Sequence, residues 1–176
     1  MWVSLDLQEV DERDAYRNGN LVLTLRSPEE VHAWVGGLEP SVKKELSDSW
    51  LRRIAEANRA DPWLHGFSIV QRATGRTIGS AGFKAPPDAE GSVEIAYGID
   101  PERQCRGYAT EAARALTAYA LATDGVRIVR AHTRPEPNAS TRVLTKCGFR
   151  FIGDVVDPDD GLVWRWEKSN EPSRWS

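Results

Sequence analysis

The sequence predicts an α/β (α+β) fold: a mixed, mostly antiparallel central sheet of about six to seven strands, flanked by about four helices. Three observations carry this prediction. Short runs rich in Val, Ile, Leu and Phe recur along the chain, bounded by Gly, Pro and Asp turns. Segments with helical apolar spacing and recognisable starts separate them. Hairpin-like strand pairs lie toward both ends, around a strand–helix–strand middle, so parallel and antiparallel pairings must coexist.

In order, residues 1–20 are mixed and charged and read as an N-terminal arm. LVLTL, Leu21 to Leu25, is the first strand expected in the sheet. Ser27-Pro28-Glu29-Glu30 starts a helix, with a capping serine, proline at the first position and acids in the first turn. Val31, Trp34, Val35 and Leu38 form its apolar face, and Gly36-Gly37 with Pro40 ends it. Ser41 to Arg59 reads as a second helix, broken at Asp61-Pro62. Gly66–Arg72 and Thr77–Ala85 form a hairpin around Ala73–Arg76. The strand Ser92–Ile99, the helix Thr110–Leu121 and the strand Val126–Arg134 make the middle unit. Asn138–Cys147 is a short helix with Asn138 as its cap. FRFIGDVVD and LVWRWEK, joined by Pro158-Asp159-Asp160-Gly161, close the fold, and residues 169–176 read as a loose tail.

A chain of 176 residues with 40% hydrophobic and 28% charged side chains is expected to form one domain, residues 1–176. A net charge of −3 with interspersed signs argues against direct nucleic-acid binding. No apolar run approaches the roughly 20 residues of a membrane span, and the N-terminus has no signal-peptide character. Cys105 and Cys147 make no metal-ligand pattern, so no metal is expected, and they read as free thiols of a cytoplasmic protein. Monomer and homodimer are both compatible with these features. Seven tryptophans are many, and some are expected to line a pocket.

The chain is organised around Gln104-Cys105-Arg106-Gly107-Tyr108-Ala109. A strand ends there and a helix begins, with a glycine and the cations Arg103 and Arg106 at the junction. Unpaired N–H groups and the helix dipole favour an anion such as phosphate at such a place. The hexapeptide, within VEIAYGIDPERQCRGYATEA and followed by PNASTRVLTKCGF, resembles the Q/R-x-x-G-x-G/A signature of the GNAT superfamily of acetyl-coenzyme A-dependent N-acetyltransferases. The wider pattern is similar to the Rim-type ribosomal-protein N-terminal acetyltransferases, best over residues 66–168. The resemblance implies the GNAT fold, with its sheet splayed at the centre, and acetyl-CoA as co-substrate.

On this reading, backbone groups from Cys105 to Thr110 hold the pyrophosphate, with the Thr110 hydroxyl and Arg106 or Arg103 adding polarity and charge. The binding set is Gln104, Cys105, Arg106, Gly107, Tyr108, Ala109 and Thr110, with Asn138 at the second motif. The resemblance also implies that unpaired backbone at Tyr97 to Ile99 accepts the pantetheine arm as a pseudo-strand.

Acetyl transfer needs a path for the amine proton and a donor for the leaving thiolate. Glu94 is the base candidate: strand alternation sets it beside Ala96 and Gly98, and burial among apolar residues would raise its pKa. An orienting role, or a structural pair with Arg or Lys on the next strand, stays open. The family's tyrosine acid has no counterpart between Asn138 and Phe149. Ser140 is the substitute, a thiolate hydrogen-bond donor or simply a helix-start serine. No histidine adjoins either cysteine in sequence, which argues against a covalent cysteine route, and His132 reads as a core or rim residue. Asp154, Asp157, Asp159 and Asp160 are either an acceptor mouth or a solvated turn. Trp34, Trp50, Trp63 and His65 fall where the acceptor wall is expected. The acceptor is a primary amine, of a peptide N-terminus or a small molecule. The rival is a GNAT-like module that binds acyl-CoA without turnover.

Overall fold

The computed structural model describes residues 4–5 and 19–170. Eight strands form one sheet: β1 (Ser4–Leu5), β2 (Leu21–Leu25), β3 (Phe67–Gln71), β4 (Arg76–Phe83), β5 (Ser92–Ile99), β6 (Ile128–Thr133), β7 (Arg150–Asp157) and β8 (Gly161–Ser169). Their spatial order is β1-β2-β3-β4-β5-β6-β8-β7. Every neighbouring pair is antiparallel except β5 and β6. That parallel pair follows from the strand–helix–strand middle, because the intervening helix α5 (Tyr108–Ala122) returns the chain to the same end of the sheet.

The remaining α-helices among the described residues are α1 (Pro28–Gly37), α2 (Pro40–Lys43), α3 (Asp48–Glu56), α4 (Pro62–His65) and α6 (Ala139–Lys146). Ser27 caps α1 in a full capping box, with its side chain on the Glu30 N–H and the Glu30 carboxylate on the Ser27 N–H. The single helix expected over residues 41–59 is two. The first helix ends at Lys43, the chain passes through a turn, and Ser47 starts α3 by accepting the Trp50 N–H. Asp61-Pro62 does not merely break a helix either. Asp61 caps α4, with Pro62 as its first residue. The arm contains β1, which pairs with β2, while the rest of residues 1–18 lies outside the described residues. The tail also begins later than expected: Ser169 is the end of β8, opposite Ile128, and residues 171–176 lie outside the described residues.

Phe67, Ile69 and Ile78 from β3 and β4 pack with Leu116 of α5, Val129 of β6 and Leu144 of α6 in the main core. Ala112, Ala113, Ala115 and Ala120 are buried on the sheet-facing side of α5, and their small side chains let the helix backbone lie close to the strands. A smaller core of Val31, Ile54 and Leu64 joins α1, α3 and α4.

One irregularity positions the site. β5 and β6 share only the pairs Ser92–Ile128, Val93–Val129 and Glu94–Arg130, after which the two strands part. The splay is the one the family resemblance implied. The Lys84 N–H donates to the Glu94 carbonyl, so Glu94 points its backbone toward β4. Antiparallel alternation then turns the N–H and C=O groups of Ile95 and Tyr97 toward the gap.

Candidate active site

A cavity of about 350 Å³ opens where β5 and β6 separate. Its walls include Glu94 and Tyr97 of β5, His132 of β6, Ser140 of α6, Lys84, and Asp160 of the β7–β8 turn. Glu94 lies on the more open face of β5 with Ala96 and Gly98, as alternation predicts.

The surroundings of Glu94 differ from the apolar burial expected. Its Oε1 lies 2.8 Å from the Lys84 ammonium, which also meets Asp160 Oδ2 at 2.8 Å. His132 Nδ1 stands 3.2 Å from the same Glu94 oxygen and 3.5 Å from Asp157 Oδ2. The lysine partner on the adjacent strand, one of the open sequence readings, is therefore present. Composition pointed to an apolar site because β5 itself is apolar, whereas these polar neighbours come from β6, the β7–β8 hairpin and the end of β4. Burial works to lower the Lys84 pKa, but Asp160 and Glu94 outweigh it and hold the ammonium well above its usual range. Asp157 also feels burial, which pushes its carboxyl up. The N–H groups of Asp159 and Asp160, with Lys84 and His132, reverse that and leave it below the ordinary aspartate value.

The four aspartates of the hairpin thus divide. Asp157 orders the turn through its Oδ1, which accepts the Asp159 and Asp160 N–H groups at 2.9 and 3.0 Å, and it also faces His132. Asp160 lines the cavity, while Asp154 and Asp159 are exposed.

The Ser140 hydroxyl makes no hydrogen bond among the described residues. Asn138 caps α6 by accepting the Thr141 N–H at 3.0 Å, and Thr141 returns the bond to the Asn138 N–H. With the cap satisfied by that pair, the Ser140 hydroxyl is left for the cavity, and the Asn138 side chain is spent on the cap.

The turn at 104–110 has an unusual backbone. Cys105 has φ 60° and Gly107 φ 81°, both left-handed, and Gly107 caps α5. The first bond of α5 runs from the Glu111 N–H to the Gly107 carbonyl, leaving the N–H groups of Gly107, Tyr108, Ala109 and Thr110 without helical partners. A Cβ built on Gly107 would meet nothing within 4 Å, so the space beside Gly107 is open. Cys105, Arg106 and Gly107 are exposed. A non-glycine residue held in left-handed geometry beside open donors is the kind of strain that gathers at functional turns.

The side chains of other expected binding residues make contacts within the fold. Gln104 donates its Nε2 to the Ile99 carbonyl at 3.0 Å, which fastens the end of β5 to the turn and occupies that carbonyl. The Tyr108 hydroxyl accepts from Gln71 at 2.9 Å, so its ring points to β3 rather than over the turn. Tyr97 turns its hydroxyl inward, where burial and then the nearby Cys147 raise its pKa. Cys147 is itself buried, with its thiol 3.6 Å from the Thr110 carbonyl.

The tryptophans expected to wall the acceptor site do not line this cavity. Trp63 packs on Phe83 at 4.4 Å between centroids, Trp34 and Trp50 meet edge to face at 6.4 Å, and His65 is fully buried. Conversely Lys84, His132 and Arg165 were not recognised as site residues. The signal for His132 lay in β6, where the polar Arg130 and His132 alternate with Val129, Ala131 and Thr133. Lys84 and Arg165 become neighbours only through strand register.

The match with known proteins agrees with this geometry. Residues 5–150 match the family model described as Acetyltransferase (GNAT) domain. The chain is 28% identical over 100 residues to the uncharacterized N-acetyltransferase YjdG of Bacillus subtilis, covering 57% of this chain and 60% of that protein's length. It is 28% identical over 152 residues to the uncharacterized N-acetyltransferase YoaA of the same organism, covering 85% and 81%. Two solved structures share the fold. The aminoglycoside acetyltransferase AAC(6')-Ib in complex with coenzyme A has a TM-score of 0.60 at 18% identity, covering 85% of this chain and 95% of that one. RimL, a ribosomal L7/L12 alpha-N-protein acetyltransferase in complex with coenzyme A, has a TM-score of 0.62 at 15% identity, covering 86% and 95%. A splayed sheet, a glycine turn with open N–H groups and this match across most of the chain lead to one conclusion: the chain belongs to the GNAT acetyltransferase family.

Proposed function

We propose that this chain transfers the acetyl group of acetyl-CoA to a primary amine, by direct attack in a ternary complex. The observation that carries the reading is the meeting of a carboxylate, Glu94, and a free hydroxyl, Ser140, in one cavity where the sheet opens. The pyrophosphate of CoA sits against the N–H groups of Gly107 to Thr110, with Cys105 and Arg106 completing the turn and Arg103 close by in sequence. The pantetheine arm runs along the gap as a pseudo-strand, pairing with Ile95 and Tyr97 and the free N–H of Ile99. The thioester then lies in the cavity.

The neutral amine nitrogen attacks the thioester carbon, and its proton passes to Glu94 directly or through a water. The C–S bond breaks, and the thiolate takes a hydrogen bond from Ser140 until solvent protonates it. Lys84 bears on this step. An ammonium paired with Glu94 weakens it as a base, but Lys84 also holds Asp160. An incoming cationic amine can take over Glu94 while Lys84 stays on Asp160.

A peptide N-terminus is the acceptor we favour, on the similarity to Rim-type enzymes and on the cost of deprotonation. At neutral pH that cost is roughly 4.6 kcal/mol for a lysine but only about 1–1.4 kcal/mol for an α-amine. A single carboxylate copes with the second readily. RimL acts on a protein N-terminus and AAC(6')-Ib is an aminoglycoside acetyltransferase, so a small-molecule amine is the second reading. No helix among the described residues is long and apolar enough to cross a membrane, and we place the reaction in the cytoplasm.

The test is a Glu94→Gln variant assayed with labelled acetyl-CoA against a mixed pool of peptides and small amines, with products read by mass spectrometry. General-base loss lowers kcat by about 100-fold or more while CoA affinity stays unchanged. Equal turnover in the variant removes the base assignment. CoA binding without transfer to any amine by the wild-type chain points instead to a non-catalytic acyl-CoA sensor.

A further inference from the structure

We propose that His132 is the positioning residue for Glu94, held as a fixed Nδ1–H donor by Arg165. The proposal rests on the reading of Glu94 as the base. His132 on β6 and Arg165 on β8 are directly opposed in register. Arg165 Nε lies 3.3 Å from His132 Nε2. An arginine nitrogen only donates, so Nε2 must accept, and the proton of the neutral ring must sit on Nδ1. That nitrogen faces two carboxylates, Glu94 Oε1 at 3.2 Å and Asp157 Oδ2 at 3.5 Å. The side chain is only 6% exposed, so water does not substitute for them.

Nδ1 has no well-formed hydrogen bond in this arrangement, in which Lys84 draws on the same Glu94 oxygen. A buried donor left in that state costs stability, which favours a small turn of Glu94 onto His132 when Lys84 lets go. The charged groups around the ring are Lys84, Glu94, Asp157 and Arg165. Neither ring nitrogen can take the amine proton: Nδ1 already holds one, and a proton on Nε2 would face the guanidinium. His132 therefore acts through Glu94 rather than on substrate.

The same bond argues against a metal, although Glu94, His132 and Asp157 offer ligand-type atoms within 4.8 Å of one another. A neutral histidine bound to metal through Nδ1 carries its proton on Nε2, where it would oppose the Arg165 N–H.

Long-range 1H–15N spectra of the histidine rings test this, since the chain has three histidines and His132→Asn identifies the relevant signals. The expected result is the Nδ1–H tautomer at neutral pH in the wild type, and its loss in Arg165→Met. In kinetics, His132→Ala lowers kcat about tenfold or more with the KM for acetyl-CoA unchanged. His132→Asn, whose amide places a donor near the Nδ1 position, restores most of the loss. If His132→Ala does not fold, Arg165→Met carries the kinetic test with the same expected drop. An Nε2–H tautomer in the wild type, stoichiometric zinc on the purified chain, or undiminished kcat in folded His132→Ala and Arg165→Met each overturns the proposal. If the wild type acetylates no amine, the base reading fails, while the tautomer measurement still decides the role of Arg165.

Discussion

Ser140 shows how a residue is released for chemistry by its neighbours. A serine in the first turn of a helix is ordinarily drawn into capping. Here the Asn138–Thr141 box takes both capping bonds, so Ser140 projects into the cavity with its hydroxyl unspent. A hydrogen bond to a developing thiolate involves a charged partner and is worth about 1.5–3 kcal/mol. Ser140→Ala should therefore lower kcat by roughly ten- to a hundredfold, with the KM for acetyl-CoA little changed and no loss of folding stability. Steady-state kinetics with a leaving-group series check it: a thio-analogue of lower thiol pKa should narrow the gap between variant and wild type. Glu94 was legible as a candidate from strand alternation, and Ser140 as the substitute that the family resemblance implies for the missing tyrosine. Lys84 and Arg165 were not, His132 read as a core or rim residue, and Asp157 stood open between an acceptor mouth and a solvated turn. Their meeting depends on the sheet bringing together residues far apart in sequence, 33 for His132 and Arg165 and 76 for Lys84 and Asp160.

At the scale of the element, the strand Ser92–Ile99 was legible to the residue, since a β-rich run between a turn and a proline admits one reading. The helices before it were not. Val42, Leu46, Trp50, Leu51 and Ile54 keep helical spacing across a break, and Ser47, which restarts the helix, falls within that spacing. The short α4 was missed because Asp61-Pro62 reads equally as a stop and as a start. What sustains four residues of helix is a ring of bonds. The Asp61 carboxylate accepts the Trp63 N–H at 2.8 Å, the Asp61 N–H donates to His65 Nδ1 at 3.0 Å, and Arg26 donates to the His65 carbonyl at 2.9 Å. His65 must be neutral for this, since Nδ1 accepts, and its buried Nε2 has no partner. Burial holds its pKa below the ordinary value, with Asp61 opposing. The sign follows: the unfolded histidine takes up a proton near pH 6.5 while the folded one resists, so stability is lost as pH falls from about 6.5 toward the folded value. Urea midpoints at about pH 7.5 and 5.5 measure the loss. It should shrink in His65→Phe, and an undiminished pH dependence in a folded variant would remove His65 from the account.

For the whole molecule, the three register pairs between β5 and β6 are a thin seam for a sheet of this size. The helix α5 reinforces it from one face. The Glu111 carboxylate accepts the Leu21 N–H at 2.8 Å on the β2 side, and Arg114 donates to the Lys146 carbonyl at 2.9 Å on the α6 side. A ligand that pairs with β5 inside the gap and rests on the start of α5 should strengthen the same seam. On the proposed reading acetyl-CoA binds only the folded chain, so at 100 times its Kd it adds about 2.7 kcal/mol. For a chain of this length that is a rise in Tm of roughly 5–11 °C. Gly107→Val separates the seam from the ligand. Valine at φ 81° carries left-handed strain of about 1–2 kcal/mol, and no neighbouring atom obstructs it, so the variant folds with a Tm lower by a few degrees. Its isopropyl group stands in the open space beside Gly107 at the start of α5, where the proposed pyrophosphate site lies. The CoA-dependent rise should therefore vanish in Gly107→Val, while Glu94→Gln keeps it in full. A shift that survives in Gly107→Val moves the phosphate site away from this turn. A wild-type chain that shows no shift at saturating CoA leaves the splayed sheet without the ligand that explains it.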